Sequence, residues 1–280
     1  MKKLNYIVDI GPYTPHCGGI IAMHKLAHNL SLIGEKCFLT TNSKNPNWLG
    51  NFINNESFNS EDTVCIYPEI INGNPLNSKN VVRWILNEVG VVGGDSSTWK
   101  DNDMAFVYAD YFSGKERNRI VGELRAFDMM LDYWKDYGIS REGECYIIRK
   151  GRNKILDKHS YNSINIDNYN NKIALELFNR CKRFVCYDSE CFLAVQAAMC
   201  GCEVLVIPRD GISKEEWRNR FPFFKYGIAY GEDDLDYAKE TIHLVKDHMQ
   251  FLENESIELT KNFVNICESN FCEKNINNGI

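Results

Sequence analysis

The stretch YDSECFLAVQAAMCGCEVLVIP, residues 187–208, decides how the second half of this chain folds. It places Asp188, Ser189 and Glu190 directly before an apolar run with helical spacing, expected at about 190–200, which ends in Cys-Gly-Cys. The EVLVIP that follows has the continuous apolar character of a strand buried on both faces. The apolar RFVCY that leads into the stretch has the same character. The pattern therefore predicts a strand–helix–strand unit of a parallel sheet, with two carboxyl groups and a hydroxyl group where the first strand ends.

Short apolar strands alternate with amphipathic helices along most of the chain. Strands are predicted at LNYIVDI (4–10), KCFLT (36–40), TVCIYP (63–68), NVVRWIL (80–86), MAFVYA (104–109), CYIIRKG (145–151), RFVCY (183–187), EVLVIP (203–208) and YGIAYG (226–231). A helical tail follows, from Asp233 to about Cys272. Because alternating strands and helices form parallel βαβ units with right-handed crossovers, we expect an α/β protein with two Rossmann-like lobes, at 1–140 and 141–280.

Composition narrows the classes of function. The 280 residues carry a net charge of −6, which argues against general attraction to nucleic acid or to an anionic membrane. No run reaches the length of about 20 apolar residues that a transmembrane helix needs, and the apolar run near the N-terminus is too short for a signal peptide. The eleven cysteines are odd in number and contain no CxxC pair. These features predict a cytoplasmic protein with reduced thiols.

Two predicted strand ends carry groups suited to a phosphate, since ligands of open α/β sheets bind where parallel strands end. Gly18 and Gly19 open the first helix, where free N–H groups can approach a ligand closely. Arg149 and Lys150, followed by a glycine, end another strand, and an arginine fork beside a lysine suits a diphosphate. The structural alternatives are a tight strand–helix turn for the glycines and a solvated strand end for the two cations.

Asp188, Ser189 and Glu190 follow a third predicted strand, RFVCY, and place polar groups at its end. Asp188 and Ser189 are placed to cap the following helix, because their side-chain oxygens can accept the free N–H groups of its first turn. The functional alternative is that those N–H groups hold a phosphate while a side-chain oxygen meets a hydroxyl group. Gln196 lies two helical turns beyond Asp188, so the two would share a face of the helix.

The stretch resembles the donor-binding motif of nucleotide-sugar glycosyltransferases of the GT-B fold, written roughly E-G-F-G-L-x-x-L-E-A-M-A-C-G-x-P-V. Aligned on AAMCG, Asp188 falls on the first acid of the motif and Gln196 on the second, so the first is shorter by a methylene group and the second lacks a charge. HCGGI with MHKLAHNL is similar to the family's glycine loop and first helix. VVRWILNEVG, DNDMAFVYADYF, CYIIRKG and FKYGIAYG resemble later segments in the same order. The likeness covers most of the chain and is closest to the retaining branch (group 1, family 4-like), with bacterial and viral members.

The resemblance implies an acceptor-side lobe at 1–140 and a donor-side lobe with C-terminal helices at 141–280, with a cleft between them. It implies transfer of a hexosyl or pentosyl group from a UDP-, GDP- or similar sugar to a glycan or lipid-linked hydroxyl, with retention and without a required metal or other cofactor. The implied catalytic residues are His16, Asp110, Asp188 and Glu190. The implied donor-binding residues are Gly18, Gly19, Arg149, Lys150, Tyr187, Ser189, Cys191, Phe192 and Gln196.

Other functions stay open at this point. The acceptor would be a modified DNA base in one alternative, which the acidic balance disfavours. A non-catalytic module that binds a nucleotide sugar or a glycan is permitted by the departures at Asp188 and Gln196. An epimerase of the same fold has no residue set to specify it, and a Rossmann dehydrogenase lacks the GxGxxG fingerprint. The letters DND at 101–103 precede a strand, which favours a polar turn over a metal site.

Overall fold

The structure is a computed structural model of the chain, and it describes residues 3–15, 17–53, 61–154, 159 and 162–272. Contacts between Cα atoms divide the chain into two compact units, one of Met1–Asp128 with Glu253–Ile280 and one of Met129–Leu252. The sequence placed the change of lobe at 140/141 and the whole tail in the second lobe. Each unit is built on a parallel sheet, so the α/β class expected from the sequence is confirmed.

The first unit contains a seven-stranded sheet with every neighbouring pair parallel. Its strands are β1 (Asn5–Val8), β2 (Lys36–Leu39), β3 (Asn51–Phe52), β4 (Thr63–Pro68), β5 (Asn80–Ile85), β6 (Met104–Val107) and β7 (Ile120–Glu123), and helix α1 (Gly18–Leu32) connects the first two. The order β3-β2-β1-β4-β5-β6-β7 is that of a Rossmann sheet with one strand added at the edge. All residues of β4 and β5 are buried, which explains why both strands are mainly apolar, with Arg83 as the buried cation of β5.

The second unit contains a five-stranded parallel sheet. Its strands are β8 (Glu144–Ile147), β9 (Ile164–Asn165), β10 (Arg183–Cys186), β11 (Glu203–Val206) and β12 (Ile228–Tyr230), and its helices are α2 (Asn171–Arg180), α3 (Leu193–Met199), α4 (Lys214–Arg220) and α5 (Leu235–Thr241). The order β12-β11-β10-β8-β9 is the doubly wound order 2-1-3-4-5 when counted within the unit. The strand order therefore reverses between β8 and β10, and a ligand site is expected at the carboxyl ends of these two strands.

The last helix, α6 (Val245–Phe271), completes the core of the first unit with its part beyond Glu253. The ring of Phe263 lies 4.8 Å from the ring of Phe106 and 5.8 Å from that of Tyr6, measured between centroids. The buried amide of Asn29, on α1, donates a hydrogen bond to the Ser256 hydroxyl at 3.0 Å. In the described part of the chain, no helix has both the length and the apolar composition needed to cross a bilayer.

A buried ion pair links β5 to the turn before β6. The side chains of Arg83 and Asp103 are 1% and 2% exposed, and their nearest N–O distance is 2.7 Å. Arg83 also donates to the carbonyl oxygens of Ile71 and Gly73, so its charge is compensated from several sides. Asp103 is the last residue of the DND turn, and its role here is structural. Across the described ranges, no group of three or more His, Cys, Asp or Glu side chains is placed to hold a metal ion.

Candidate functional site

A cavity of about 410 Å³ lies at the carboxyl edge of the second sheet, where the strand order reverses. The loops that follow β8, β10 and β11 form its walls. The nine lining residues are Lys150, Asn153, Lys154, Tyr187, Asp188, Ser189, Glu190, Arg209 and Asp210. Three of them are cations and three are carboxylates. Five residues expected from the sequence to bind or act on a donor are thus brought together at one place, namely Lys150, Tyr187, Asp188, Ser189 and Glu190.

Gly151 holds the loop after β8 against the end of β10. A Cβ atom at this position would lie 2.1 Å from the carbonyl oxygen of Tyr187, so a side chain cannot be accommodated without moving backbone. The Gly151 N–H also donates to the carbonyl oxygen of Ile148 at 2.7 Å, which closes a tight turn. This close approach places Lys150 and Lys154 on the wall of the cavity.

Arg149 lies on the other side of the same loop. It lines a second cavity of about 490 Å³, together with Ile148, Arg152, Asp167 and Asn168. Its φ of +39° is in the left-handed region, which is strained for any residue with a side chain. The Asp167 carboxylate holds this backbone in place by accepting the N–H groups of Ile148 and Arg149 at 3.0 and 3.1 Å. Arg149 is therefore a neighbour of the first cavity and not part of its lining.

The acids after β10 do not cap a helix, and that part of the sequence prediction is wrong. Helix α3 begins only at Leu193, and its N-cap residue, Phe192, offers no side-chain cap. Asp188 instead stabilises a separate turn, in which its carboxylate accepts the N–H of Glu190 at 3.3 Å and its carbonyl oxygen accepts that of Cys191 at 3.1 Å. Such local hydrogen bonds compete with helix formation. Since Asp188 precedes the helix, it shares no helical face with Gln196.

The indole of Trp217, on α4, stabilises the turn that contains Asp188 and Ser189. Its Nε1–H donates to the carbonyl oxygen of Ser189 at 2.7 Å, and the indole is itself buried. Asp188 and Ser189 are each 8% exposed, so their carboxylate and hydroxyl groups are shielded from bulk water within the wall. Hydrogen bonds to a ligand are worth more in such surroundings than at an open surface.

Lys154 is a partly buried cation of the cavity lining. Its ammonium group is half-buried and donates to the carbonyl oxygen of Ile207 at 3.1 Å. Burial lowers the pKa of Lys154, because the charged form is less well solvated there. Arg209, another cation of the lining, lies 3.7 Å from the Glu190 carboxylate in a partly exposed pair. An anion bound in the cavity would restore to Lys154 the favourable interactions that burial removes.

The ring of Tyr187 forms a rigid part of the wall. It is fully buried, and its hydroxyl group lies 2.5 Å from Nε2 of His159. The other ring nitrogen of His159 lies 2.8 Å from a carboxylate oxygen of Glu144, and the imidazole stacks on Tyr146 with 3.9 Å between ring centroids. The orientation of Tyr187 is therefore fixed by a chain of hydrogen bonds that starts on β8.

The remaining predicted donor residues of this unit lie behind the wall, outside the nine residues that line the cavity. Cys191 is buried, with its Sγ atom 3.5 Å from a guanidinium nitrogen of Arg149. The ring of Phe192 packs on that of Phe223 at 4.7 Å. Gln196 is half-buried on α3. Their direct roles in donor binding stay predictions.

The predicted residues of the first unit occupy separate places. Gly18 and Gly19 are the first residues of α1, and a Cβ atom at Gly18 would meet no atom within 4 Å. Arg117 binds both carboxylate oxygens of Asp110, at 2.9 and 3.0 Å. This pairing lowers the pKa of Asp110 and so weakens the carboxylate as a base. His16 lies outside the described residues.

Comparison with known proteins does not show a family for this chain. Neither a scan of protein-family models nor a search of curated proteins finds a match to this chain. Among solved structures, the chain is similar to one described as "Crystal Structure Analysis of the Glycotransferase of kitacinnamycin". The identity is 10% and the TM-score 0.42, over 96% of this chain and 100% of that chain. At these values the likeness adds nothing to what the two sheets show by themselves.

Sequence reasoning missed four residues that line the cavity, Asn153, Lys154, Arg209 and Asp210. Both pairs carried a usable signal. Asn153 and Lys154 belong to the segment RKGRNK, which has four cations in six residues. Arg209 and Asp210 come directly after the apolar EVLVIP, so the rule that ligands bind at strand ends applies to them as it does to Asp188.

Proposed function

We propose that this protein is a glycosyltransferase that binds a nucleotide-diphosphate sugar in the 410 Å³ cavity of its second unit. The observation that carries the proposal is the meeting of three cations and three carboxylates at the switch point of a doubly wound parallel sheet. Lysine and arginine suit a diphosphate, and carboxylates accept hydrogen bonds from the hydroxyl groups of a sugar or ribose. The volume falls in the range of small-molecule sites, which is about 300–1,000 Å³.

The sequence motif supports the same site. The stretch that resembles the glycosyltransferase donor motif begins with Tyr187, followed by Asp188 at the first acid of the motif and by Ser189 and Glu190, and all four residues line the cavity. In the proposed complex, Asp188 meets the sugar hydroxyl groups, and Glu190 assists because Asp188 is one methylene group shorter than the acid usual in the motif. The first unit binds the acceptor, a glycan or lipid-linked hydroxyl compound in the cytoplasm.

The proposed reaction breaks the bond between the anomeric carbon and the diphosphate oxygen and forms a bond from that carbon to the acceptor oxygen. Negative charge develops on the departing diphosphate, and Lys150, Lys154 and Arg209 stabilise it electrostatically. We propose that the configuration at the anomeric carbon is retained, that the departing phosphate takes the proton of the acceptor hydroxyl, and that no metal is required. His16 and Asp110 are proposed to contact the acceptor.

A non-catalytic module that binds nucleotide sugars is the second candidate. It is favoured by one observation, the pairing of both Asp110 oxygens with Arg117, because that pairing occupies the carboxylate of the first unit that is proposed to contact the acceptor. The glycosyltransferase and the non-catalytic module would bind the sugar nucleotide at the same site, but only the glycosyltransferase would cleave it. Release of free nucleotide from the sugar nucleotide in the presence of an acceptor panel supports the transferase, whereas binding without release supports the module.

The first experiment is a thermal-shift screen with UDP, GDP, ADP, CMP, dTDP and their common sugars, with and without magnesium or EDTA. A ligand that binds only the folded protein stabilises it by about 2.7 kcal/mol at a roughly hundredfold excess over Kd. We expect a shift with one nucleotide family, in magnesium and in EDTA alike. No shift with any nucleotide would contradict the proposal, and a shift only with magnesium would contradict its metal-independent form.

Removing single cations should weaken this binding. Lys150→Ala and Arg209→Ala each remove a cation from the cavity lining. Each is expected to reduce affinity for the nucleotide diphosphate by about 1.5–3 kcal/mol, the range of charge-assisted hydrogen bonds. Lys182→Ala is the matched control, because Lys182 is an exposed lysine at the amino edge of the same sheet. Isothermal titration calorimetry measures the three Kd values. Unchanged affinity in the first two variants would remove the diphosphate role assigned to these residues.

Affinity should also fall at alkaline pH because of Lys154. Burial lowers the pKa of its ammonium group, so on raising the pH Lys154 loses its proton, and its attraction for phosphate, before an ordinary lysine does. Titrations of nucleotide diphosphate from about pH 7 to about pH 10 should show this loss in the unmodified protein. Lys154→Arg, which keeps its proton throughout, should shift the loss to higher pH, and Lys150→Arg should not. If all three proteins lose affinity together, Lys154 is not the titrating group.

A further inference from the structure

The segment Arg149–Lys154 presents its side chains to two different cavities. It is a 3₁₀ segment with a kink at its glycine, and side chains three residues apart lie on the same side of a 3₁₀ turn. Lys150 and Asn153 accordingly line the first cavity, whereas Arg149 and Arg152 line the second. The function proposed above uses the first cavity, so the second cavity and its two arginines still have no ligand assigned to them.

The second cavity, of about 490 Å³, lies at the same edge of the sheet as the first. Arg149 follows the end of β8, and Asp167 and Asn168 follow the end of the neighbouring strand β9. Ligands of open α/β sheets bind where parallel strands end, and the volume falls in the range of small-molecule sites, about 300–1,000 Å³. The position and the size of this cavity are therefore those of a ligand site.

The two guanidinium groups of the second cavity are available to an anion. Arg149 and Arg152 are both exposed, and no carboxylate of the described residues forms an ion pair with either of them. Within the same part of the chain, the Arg149 guanidinium contacts the thiol sulfur of Cys191 at 3.5 Å, and sulfur is a weak acceptor. An anion that binds these arginines thus has no existing ion pair to break.

The carboxylate of Asp167, which also lines the second cavity, is already engaged by backbone. It accepts the N–H groups of Ile148 and Arg149 at 3.0 and 3.1 Å. The N–H of Asp167 donates in turn to the side-chain oxygen of Asn165 at 2.8 Å, which holds the turn after β9. The lining therefore carries two positive charges and one negative charge, and the negative charge stabilises the loop that carries the arginines.

We propose that the second cavity binds a phosphate group on Arg149 and Arg152, either as inorganic phosphate or as a phosphate monoester. A guanidinium group offers parallel N–H donors that match two phosphate oxygens, and two such groups on one side of a loop suit the terminal oxygens of one phosphate. The Asn168 side chain, in the same lining, supplies an amide to the esterified group. This site does not depend on the proposed function, because it shares no lining residue with the first cavity.

A protection experiment on the full chain locates the bound phosphate. The protein is treated with phenylglyoxal, which modifies accessible arginines, with and without inorganic phosphate, and the modified positions are mapped by mass spectrometry. We expect phosphate to protect Arg149 and Arg152. Arg180 is the control that should react equally in both samples, because it is an exposed arginine at the end of α2, directly before the amino end of β10. Protection of Arg209 without protection of Arg149 and Arg152 would place the phosphate in the first cavity and overturn the inference.

Calorimetric titration tests the same site by affinity. Arg152→Ala should raise Kd for inorganic phosphate about tenfold or more, since it removes charge-assisted hydrogen bonds, and should leave Kd for the nucleotide diphosphate unchanged. Lys150→Ala should do the reverse, and Arg180→Ala should change neither. Arg152→Lys keeps the charge but not the paired donors, so it should bind phosphate more weakly than the protein without substitutions.

Phenyl phosphate distinguishes the two sources of the phosphate group. Tighter binding of phenyl phosphate than of inorganic phosphate indicates a monoester, and the opposite order indicates free phosphate. No binding of either probe, an unchanged Kd in Arg152→Ala, or equal losses of phosphate affinity in Arg152→Ala and Lys150→Ala overturns the inference. Failure of the nucleotide diphosphates to bind counts against the proposed function alone, because neither phosphate probe contains a nucleotide.

Discussion

Replacing Asp103 with alanine should lower the free energy of unfolding by about 3–5 kcal/mol, the cost of leaving one partner of a buried ion pair uncompensated. The guanidinium group of Arg83 would stay almost fully buried, at 1% exposure, with only the carbonyl oxygens of Ile71 and Gly73 to accept its hydrogen bonds. Urea unfolding followed by tryptophan fluorescence measures the loss, since Trp84 and Trp99 lie beside the pair in sequence and in space.

The same three-letter turn supplies the control. Asp101 is fully exposed and lies 3.8 Å from Arg119, so Asp101→Ala should change stability by no more than about 0.5 kcal/mol. The double replacement Arg83→Met with Asp103→Leu should be less damaging than Asp103→Ala, because it removes both charges together. Equal unfolding midpoints for Asp101→Ala and Asp103→Ala would show that the ion pair does not anchor β5.

Gly151→Ala should damage both the fold of the second unit and its ligand site. The new methyl group would lie 2.1 Å from the carbonyl oxygen of Tyr187, where the atom in the way is backbone and cannot rotate aside. Overpacking of this kind costs about 1–3 kcal/mol and displaces the backbone. The displaced loop takes Lys150 and Lys154 away from the cavity, so affinity for a nucleotide diphosphate should fall with stability.

Thermal unfolding and calorimetric titration measure the two effects of Gly151→Ala. Gly11→Ala is a suitable comparison, because a Cβ atom there meets no other atom within 4 Å and the backbone is not in the left-handed region. That variant should keep both properties. Full affinity in Gly151→Ala would mean that the loop tolerates displacement, and the argument that Gly151 positions the two lysines would fail.

The sheets were predictable because a strand that is buried on both faces has apolar residues at successive positions of its sequence. Strands β4, β5 and β11 are mainly apolar in sequence, and the alternation with helices implies parallel pairing. The return of the last helix to the first unit was not predictable. An amphipathic pattern shows that a helix has a buried face, but it does not say which core receives Phe263.

The candidate site was predictable for the residues that directly follow a strand, because ligands of open α/β sheets bind at strand ends. Lys150 and Asp188 follow strands directly, and strand ends of an open sheet gather at one edge. The helix start was misplaced because Asp and Ser favour both an N-cap and an independent turn, and the donation from Trp217 that stabilises the turn comes from a distant segment. The pairing of Asp110 with Arg117 crosses a kink at Gly114, so helical spacing gives no indication of it.

The discontinuous first unit determines the order in which the chain can fold during synthesis. Its seven strands are all made before residue 128, yet Phe263, which packs against Tyr6 and Phe106, is made only after the whole of the second unit. At about 5–20 residues per second, the growing chain carries this unfinished core for on the order of ten seconds. The second unit is continuous in sequence and can close in the meantime. The unit whose strands are translated first is thus the unit that matures last, and the apolar surface that Phe263 later covers stays open during that interval.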